Sequence, residues 1–220
     1  MTIAAPPLPS PPRLRLWVEF CLIFGALPLV MALHLPPTVM WSALAGLVLI
    51  AVVLLSVTDG FDWRDLLSPP NRFDLIVIAA FAVLVGAGSV GLVLWLRPHA
   101  LFGLPRYNSD LWLTIVLAYP FLSALPQELV FRALFFGRYG VLIPSRGLAL
   151  LVNAGAFALA HLFYWNWPAV VLTGAGGIVF AWAYLWRRSF LLAWALHAVA
   201  GLAVFTSGLG VYFYHGAVAR

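Results

Sequence analysis

Three apolar stretches of this sequence carry ionisable groups that hydrocarbon does not tolerate without a reason. In DLWLTIVLAYPFLSALPQELVFRALFFGRYG, Glu128 and Arg132 follow two prolines, Pro120 and Pro126. In FALAH, His161 stands four residues after Phe157, and Asn166 comes five residues later. In LLAWALHAVAG, His197 stands four residues before Gly201. Glu128 and Arg132 share one helical face, and pairing reduces the several kcal/mol that burying either charge alone would cost. Gln127 lies about 100° round the helix from Glu128.

The chemistry open to such a set is water activation. A carboxylate in an apolar setting can act as a general base near neutral pH. One histidine can share that proton or orient the water, and a second can donate to a developing oxyanion. Glu128, His161 and His197 could equally hold zinc with one open position, although no H-E-x-x-H motif is present. The cofactor expectation is therefore none, with zinc as the metal these donors would suit. Glu128 and Arg132 could also be a pair that pins a broken helix, and each histidine a cross-helix hydrogen-bonding group. Ionisable groups within spans are nevertheless functional-site candidates by default.

The elements that position these groups follow from composition. Of 220 residues, 64% are hydrophobic and 9% charged, with one cysteine, Cys21. A mean hydropathy of +1.03 excludes a soluble fold of this size, a disordered chain and a disulfide-stapled scaffold. An all-α polytopic membrane protein remains. Seven apolar segments are long enough to span, near 15–33, 38–57, 74–96, 110–137, 147–164, 168–186 and 189–207. The fourth should be kinked by Pro120 and Pro126. The loop at 57–73 mixes acids and arginines with Phe61, Trp63 and Leu66, and reads as a short amphipathic interfacial piece. Residues 1–12 form a Pro-rich lead, 13–104 an N-terminal set of three spans, and 105–220 a core of four.

All 12 basic residues are arginine, the net charge is +5, and no basic cluster exceeds Arg187-Arg188, so nucleic acid is not an expected partner. Arg13, Arg15, Arg64, Arg72, Arg138, Arg146, Arg187 and Arg188 fall on one side, against Arg97, Arg106 and Arg220 on the other. That bias predicts a cytoplasmic N-terminus and an external C-terminus. Glu19 should form a local ion pair with Arg15. Counted from the cytoplasmic ends, Glu128 lies about 13–15 Å deep, His161 about 20 Å and His197 about 12 Å, close enough to meet in one layer once helices tilt.

QELVFR (127–132), FALAH (157–161) and HAVAG (197–201) resemble, in order and spacing, the motifs of the CPBP family. These are intramembrane endopeptidases related to the prenyl-protein (CAAX) protease and to bacteriocin-processing and self-immunity proteins. The resemblance covers about residues 105–215, and FTSGLGVYFYHG (205–216) resembles the ends of a bacterial branch with Gln-Glu in the first motif. It implies that His161 helps activate water, that His197 stabilises the oxyanion, and that Arg132 matches the motif arginine. It implies membrane-bound protein or peptide substrates, a bacterial inner membrane, and a site opening to the cytosol. Gln127 stands at the family's first-acid position and Gly201 where asparagine often assists. Glutamine accepts no proton at neutral pH. Either Glu128 serves as base, held by Arg132, or the chain is a pseudoprotease that binds a peptide or partner without cutting it. Asn166 is a candidate replacement donor. A proton-coupled transporter is a third reading, weakened by the lack of inverted repeats.

Overall fold

The computed structural model describes residues 11–213 and contains no strand among them. Among the described residues seven long helices follow one another: α1 (Arg13–His34), α2 (Met40–Ser56), α3 (Arg72–Leu96), α4 (Ser109–Leu142), α5 (Arg146–Tyr164), α6 (Trp167–Leu185) and α7 (Phe190–Ser207), with a short helical turn, Gly103–Tyr107, before α4. Six are long and apolar enough to cross a bilayer, while α2, at 17 residues, is the shorter apolar helix between them. At about 1.5 Å per residue α2 still reaches about 25 Å. Leu14, Leu49, Val83, Leu84, Leu117 and Leu151 are exposed on the outside of the bundle. In a bilayer they face lipid, and the protein is an all-α polytopic membrane protein. The Pro-rich lead up to residue 10 and the tail with His215 and Arg220 lie outside the described residues.

Polar caps set the helix boundaries. Asn71 and Asp74 form a reciprocal capping box at the start of α3, and Asn108, Ser145, Asn166 and Ser189 cap α4 to α7. Gly208, at φ 115°, ends α7 against the Ala100 carbonyl. The prolines do not split α4. It runs as one helix of 34 residues, with wide π turns at Pro120–Ala124 and Leu129–Leu134. Each π turn absorbs an extra residue and leaves a carbonyl to be satisfied from elsewhere. The loop after α2 contributes a 3₁₀ turn, Trp63–Leu67, that buries Leu66 and exposes Leu67.

α6 packs along α5 and α7, and α7 along α3. The α5–α6 approach is close, since a Cβ on Gly177 would lie 2.9 Å from Ala154 Cα. One end of the bundle gathers the starts of α1, α3, α5 and α7 and the ends of α2, α4 and α6, and with them most of the arginines. Glu19 meets Arg15 there as expected, at 2.8 Å, but it also accepts from Arg138 at 2.8 and 3.2 Å and from Tyr139 at 3.2 Å. Arg138 is thus no loop residue: it is buried in α4 and ties that helix to α1 and to Thr58. Asp74 and Arg187 join α3 to the α6–α7 turn at 3.0 Å. Beneath these pairs lies an apolar layer in which Leu55, Leu134, Phe135, Leu192 and Leu196 are almost wholly buried.

Candidate active site

Glu128 follows Pro126 and immediately precedes the second π turn of α4, and it is fully buried. One of its oxygens is hydrogen-bonded and the other is paired by charge alone. Oε1 accepts from His197 Nδ1 at 2.8 Å, and Oε2 faces Arg132 Nε at 3.2 Å. Arg132, also fully buried, has no other ionic partner among the described residues. Its guanidinium stacks over Phe157 and Phe180, 4.9 and 5.6 Å from the ring centroids, where aromatic faces offset part of its desolvation. Phe180 also lies parallel to the His197 ring at 4.8 Å, and Phe157 meets it edge-on at 5.4 Å. The carboxylate and the two phenyl rings hold the His197 imidazole in place.

His161 lies where α5 tightens into its last 3₁₀ turn. Its Nδ1–H donates to the Phe157 carbonyl at 2.7 Å, which settles the tautomer, because a carbonyl can only accept. The ring packs against Phe157 at 4.6 Å and stacks near Tyr164 at 6.0 Å. In each histidine, then, Nδ1 is engaged and Nε2 is the nitrogen left for chemistry.

A cavity of about 400 Å³ meets both imidazoles. Gln127, Phe157, His161, His197 and Gly201 line it, together with Tyr119 and Ser123. Glu128 does not reach it and stands behind His197. Gln127 donates to Ser123 Oγ at 2.9 Å. A smaller recess, sharing Gln127 and His161, extends toward α1 and α2. Asn166 is taken up structurally. Its Oδ1 caps α6 at 2.9 Å, and its amide donates to the Tyr164 and Tyr212 carbonyls at 3.0 and 2.8 Å.

Two residues join the site that sequence reasoning passed over. Asn153, fully buried in α5, donates to the Phe131 carbonyl at 2.6 Å and so satisfies a carbonyl inside the π turn that carries Arg132. A lone asparagine two turns before His161 in an otherwise apolar helix was the available signal. Tyr119 lies across Gly201. A Cβ there would overlap the ring edge and come within 2.5 Å of the hydroxyl oxygen. The tyrosine fills space that any side chain at 201 would need, and its ring is 6.1 Å from that of His197. Only the pairing of Gly201 with an aromatic from another helix reveals it.

Zinc does not suit this donor set. Among the described residues no three His, Cys, Asp or Glu side chains converge to hold a metal ion, and the Glu128 carboxylate is turned to His197 Nδ1 and Arg132.

Fold and site together define a polytopic helical membrane protein with a buried carboxylate–imidazole pair beside an intramembrane cavity. Residues 108–203 match the family described as type II CAAX prenyl endopeptidase Rce1-like. This stretch, 96 of the 220 residues, is similar to that protease family. No curated protein and no solved structure gives a significant match.

Proposed function

We propose that the chain is an active endopeptidase that cuts membrane-bound polypeptides with water held between two histidines, despite Gln127. The observation that carries this reading is the Glu128–His197 contact of 2.8 Å with the carboxylate wholly enclosed. An ionised Glu128 accepts the Nδ1 proton and leaves His197 Nε2 as a lone pair, and it stabilises the imidazolium that forms when Nε2 takes a proton. The base is then His197, and Glu128 acts through it. Arg132 holds the carboxylate from behind.

Water donates one hydrogen to His197 Nε2 and the other to His161 Nε2. As the first proton transfers, the water oxygen bonds to the scissile carbonyl carbon and the C=O π pair moves onto oxygen. Both Nδ1 protons are already engaged, so in the neutral state neither imidazole donates to that oxyanion. Tyr119 supplies the donor. Its hydroxyl borders the cavity, no described group hydrogen-bonds to it, and its ring lies 6.1 Å from that of His197. Collapse of the oxyanion re-forms C=O and breaks C–N, and the leaving nitrogen takes its proton from His197. The products are a carboxylic acid and an amine.

The resemblance supports placement in a bacterial inner membrane, and the arginine bias an N-terminus in the cytoplasm with the C-terminus external. The deciding experiment compares protein termini by mass spectrometry in cells lacking the gene and complemented with wild type or His197→Ala at equal abundance. New termini confined to the wild type would establish cleavage and name substrates. Identical termini would sink the enzymatic reading and leave a groove that binds without cutting.

A further inference from the structure

The cavity and the arginines occupy opposite ends of the bundle. Met40 and Trp41 at the start of α2, Thr114 and Tyr119 early in α4, Tyr164 at the end of α5 and Phe213 beyond α7 place the cavity between mid-bundle and the arginine-poor end. Toward the arginine-rich end the buried apolar side chains of Leu134, Phe135, Leu192 and Leu196 fill the bundle. The polar cavity at that end, lined by Asp59, Asp62, Asp65, Arg146 and Arg188, shares no lining residue with the site. A cytosol-facing site, as the resemblance implies, and a cytoplasmic arginine-rich end cannot both hold for this chain.

We infer that the site opens to the extracytoplasmic side, and that its substrates are exported polypeptides still tethered to the membrane by an apolar segment. Loop arginines set orientation because they resist translocation, and the bias in this chain is strong. Seven arginines in loops or at helix ends lie toward the closed end, Arg138 being buried in α4 and not counted, and among the described residues Arg97 and Arg106 lie toward the open one. The lining agrees with such a substrate. Ile115, Leu122, Leu172, Val204 and Phe205 make most of the cavity wall apolar, which suits a segment entering from the outer half of the bilayer rather than a soluble peptide. The substrate half of the inference rests on the endopeptidase reading; the facing of the cavity does not.

The test separates the two. In a Cys21→Ser background, single cysteines replace Tyr107 and Phe213 at the open end, and Asp59 and Ser68 at the closed end. A membrane-impermeant sulfonated maleimide is added to spheroplasts of a bacterial host, then to permeabilised ones. Labelling of Tyr107→Cys and Phe213→Cys in intact spheroplasts, with Asp59→Cys and Ser68→Cys labelled after permeabilisation, is the expected result. The reverse pattern overturns the inference. The termini found by mass spectrometry then locate the cut: it should fall on the extracytoplasmic side of each substrate's anchor, and cuts on the cytoplasmic side would overturn the substrate class. Outward labelling with no new termini would defeat the endopeptidase reading and leave the facing of the cavity standing.

Discussion

Residue 201 sets how closely Tyr119 can approach His197, and that gives the assignment of Tyr119 a two-sided test. Tyr119→Phe keeps the ring and removes the donor, so kcat should fall by about 10²–10³ with KM little changed. Gly201→Asn alone should also be impaired, because its Cβ overlaps the tyrosine ring. Combined with Tyr119→Ala, the same asparagine gains room and can donate, so the double variant should exceed either single one. Additive losses would sink the assignment. Glu128→Gln probes the partner of the base. An amide can still bond to His197 but carries no charge to offset the imidazolium, and it can select the wrong tautomer. A fall in kcat of about 10³–10⁴ is expected. Arg132 is then a buried charge without a counterion, so unfolding in detergent should also ease by about 3–5 kcal/mol.

The irregular helix shows what the sequence could and could not say about an element. Seven apolar segments were legible from hydropathy, and all seven helices fall where they were expected. Pro120 and Pro126 announced that the fourth would be irregular, because proline removes a donor and crowds the preceding turn. The form of the irregularity was not legible. A π turn depends on whether a neighbouring helix can take the freed carbonyl, and that partner is remote in sequence. For the second π turn a remote side chain, Asn153, 22 residues away, donates to the Phe131 carbonyl, and for the first the Trp194 indole, 74 residues away, joins the Leu125 amide on the Pro120 carbonyl at 2.7 Å. Asn153→Leu should therefore leave a buried carbonyl unpaired and lower stability by about 1–3 kcal/mol. Because that π turn carries Arg132, activity of the folded fraction should fall as well. A thermal-unfolding curve and a rate normalised to folded protein distinguish this from a residue that only fills space, which would lower the first and spare the second.

At the scale of the molecule the two ends are held by different forces. The closed end is fastened by ion pairs, Glu19 with Arg15 and Arg138, and Asp74 with Arg187. The open end is joined by neutral hydrogen bonds, Trp165 to the Ala32 carbonyl at 2.8 Å and Trp112 to Thr206 at 3.0 Å. The local Arg15–Glu19 pair could be read from an i, i+4 spacing, but the reach of Arg138 across 119 residues could not, and counting it as a loop charge hid its role. This division suits a protein that must stay rigid behind its site and admit a substrate in front of it. Arg138→Met tests the division. The arginine side chain is almost wholly buried, Glu19 is partly exposed and keeps Arg15, so its loss should lower stability by about 1–3 kcal/mol rather than the full penalty of an orphaned buried charge. The layer between Arg138 and His197 is filled by the apolar side chains of Leu134, Phe135, Leu192 and Leu196. Turnover per folded molecule should then stay within about twofold of wild type. A loss of turnover as large as that of Glu128→Gln, at equal folded fraction, would mean that the two ends are coupled and that the closed end takes part in gating the site.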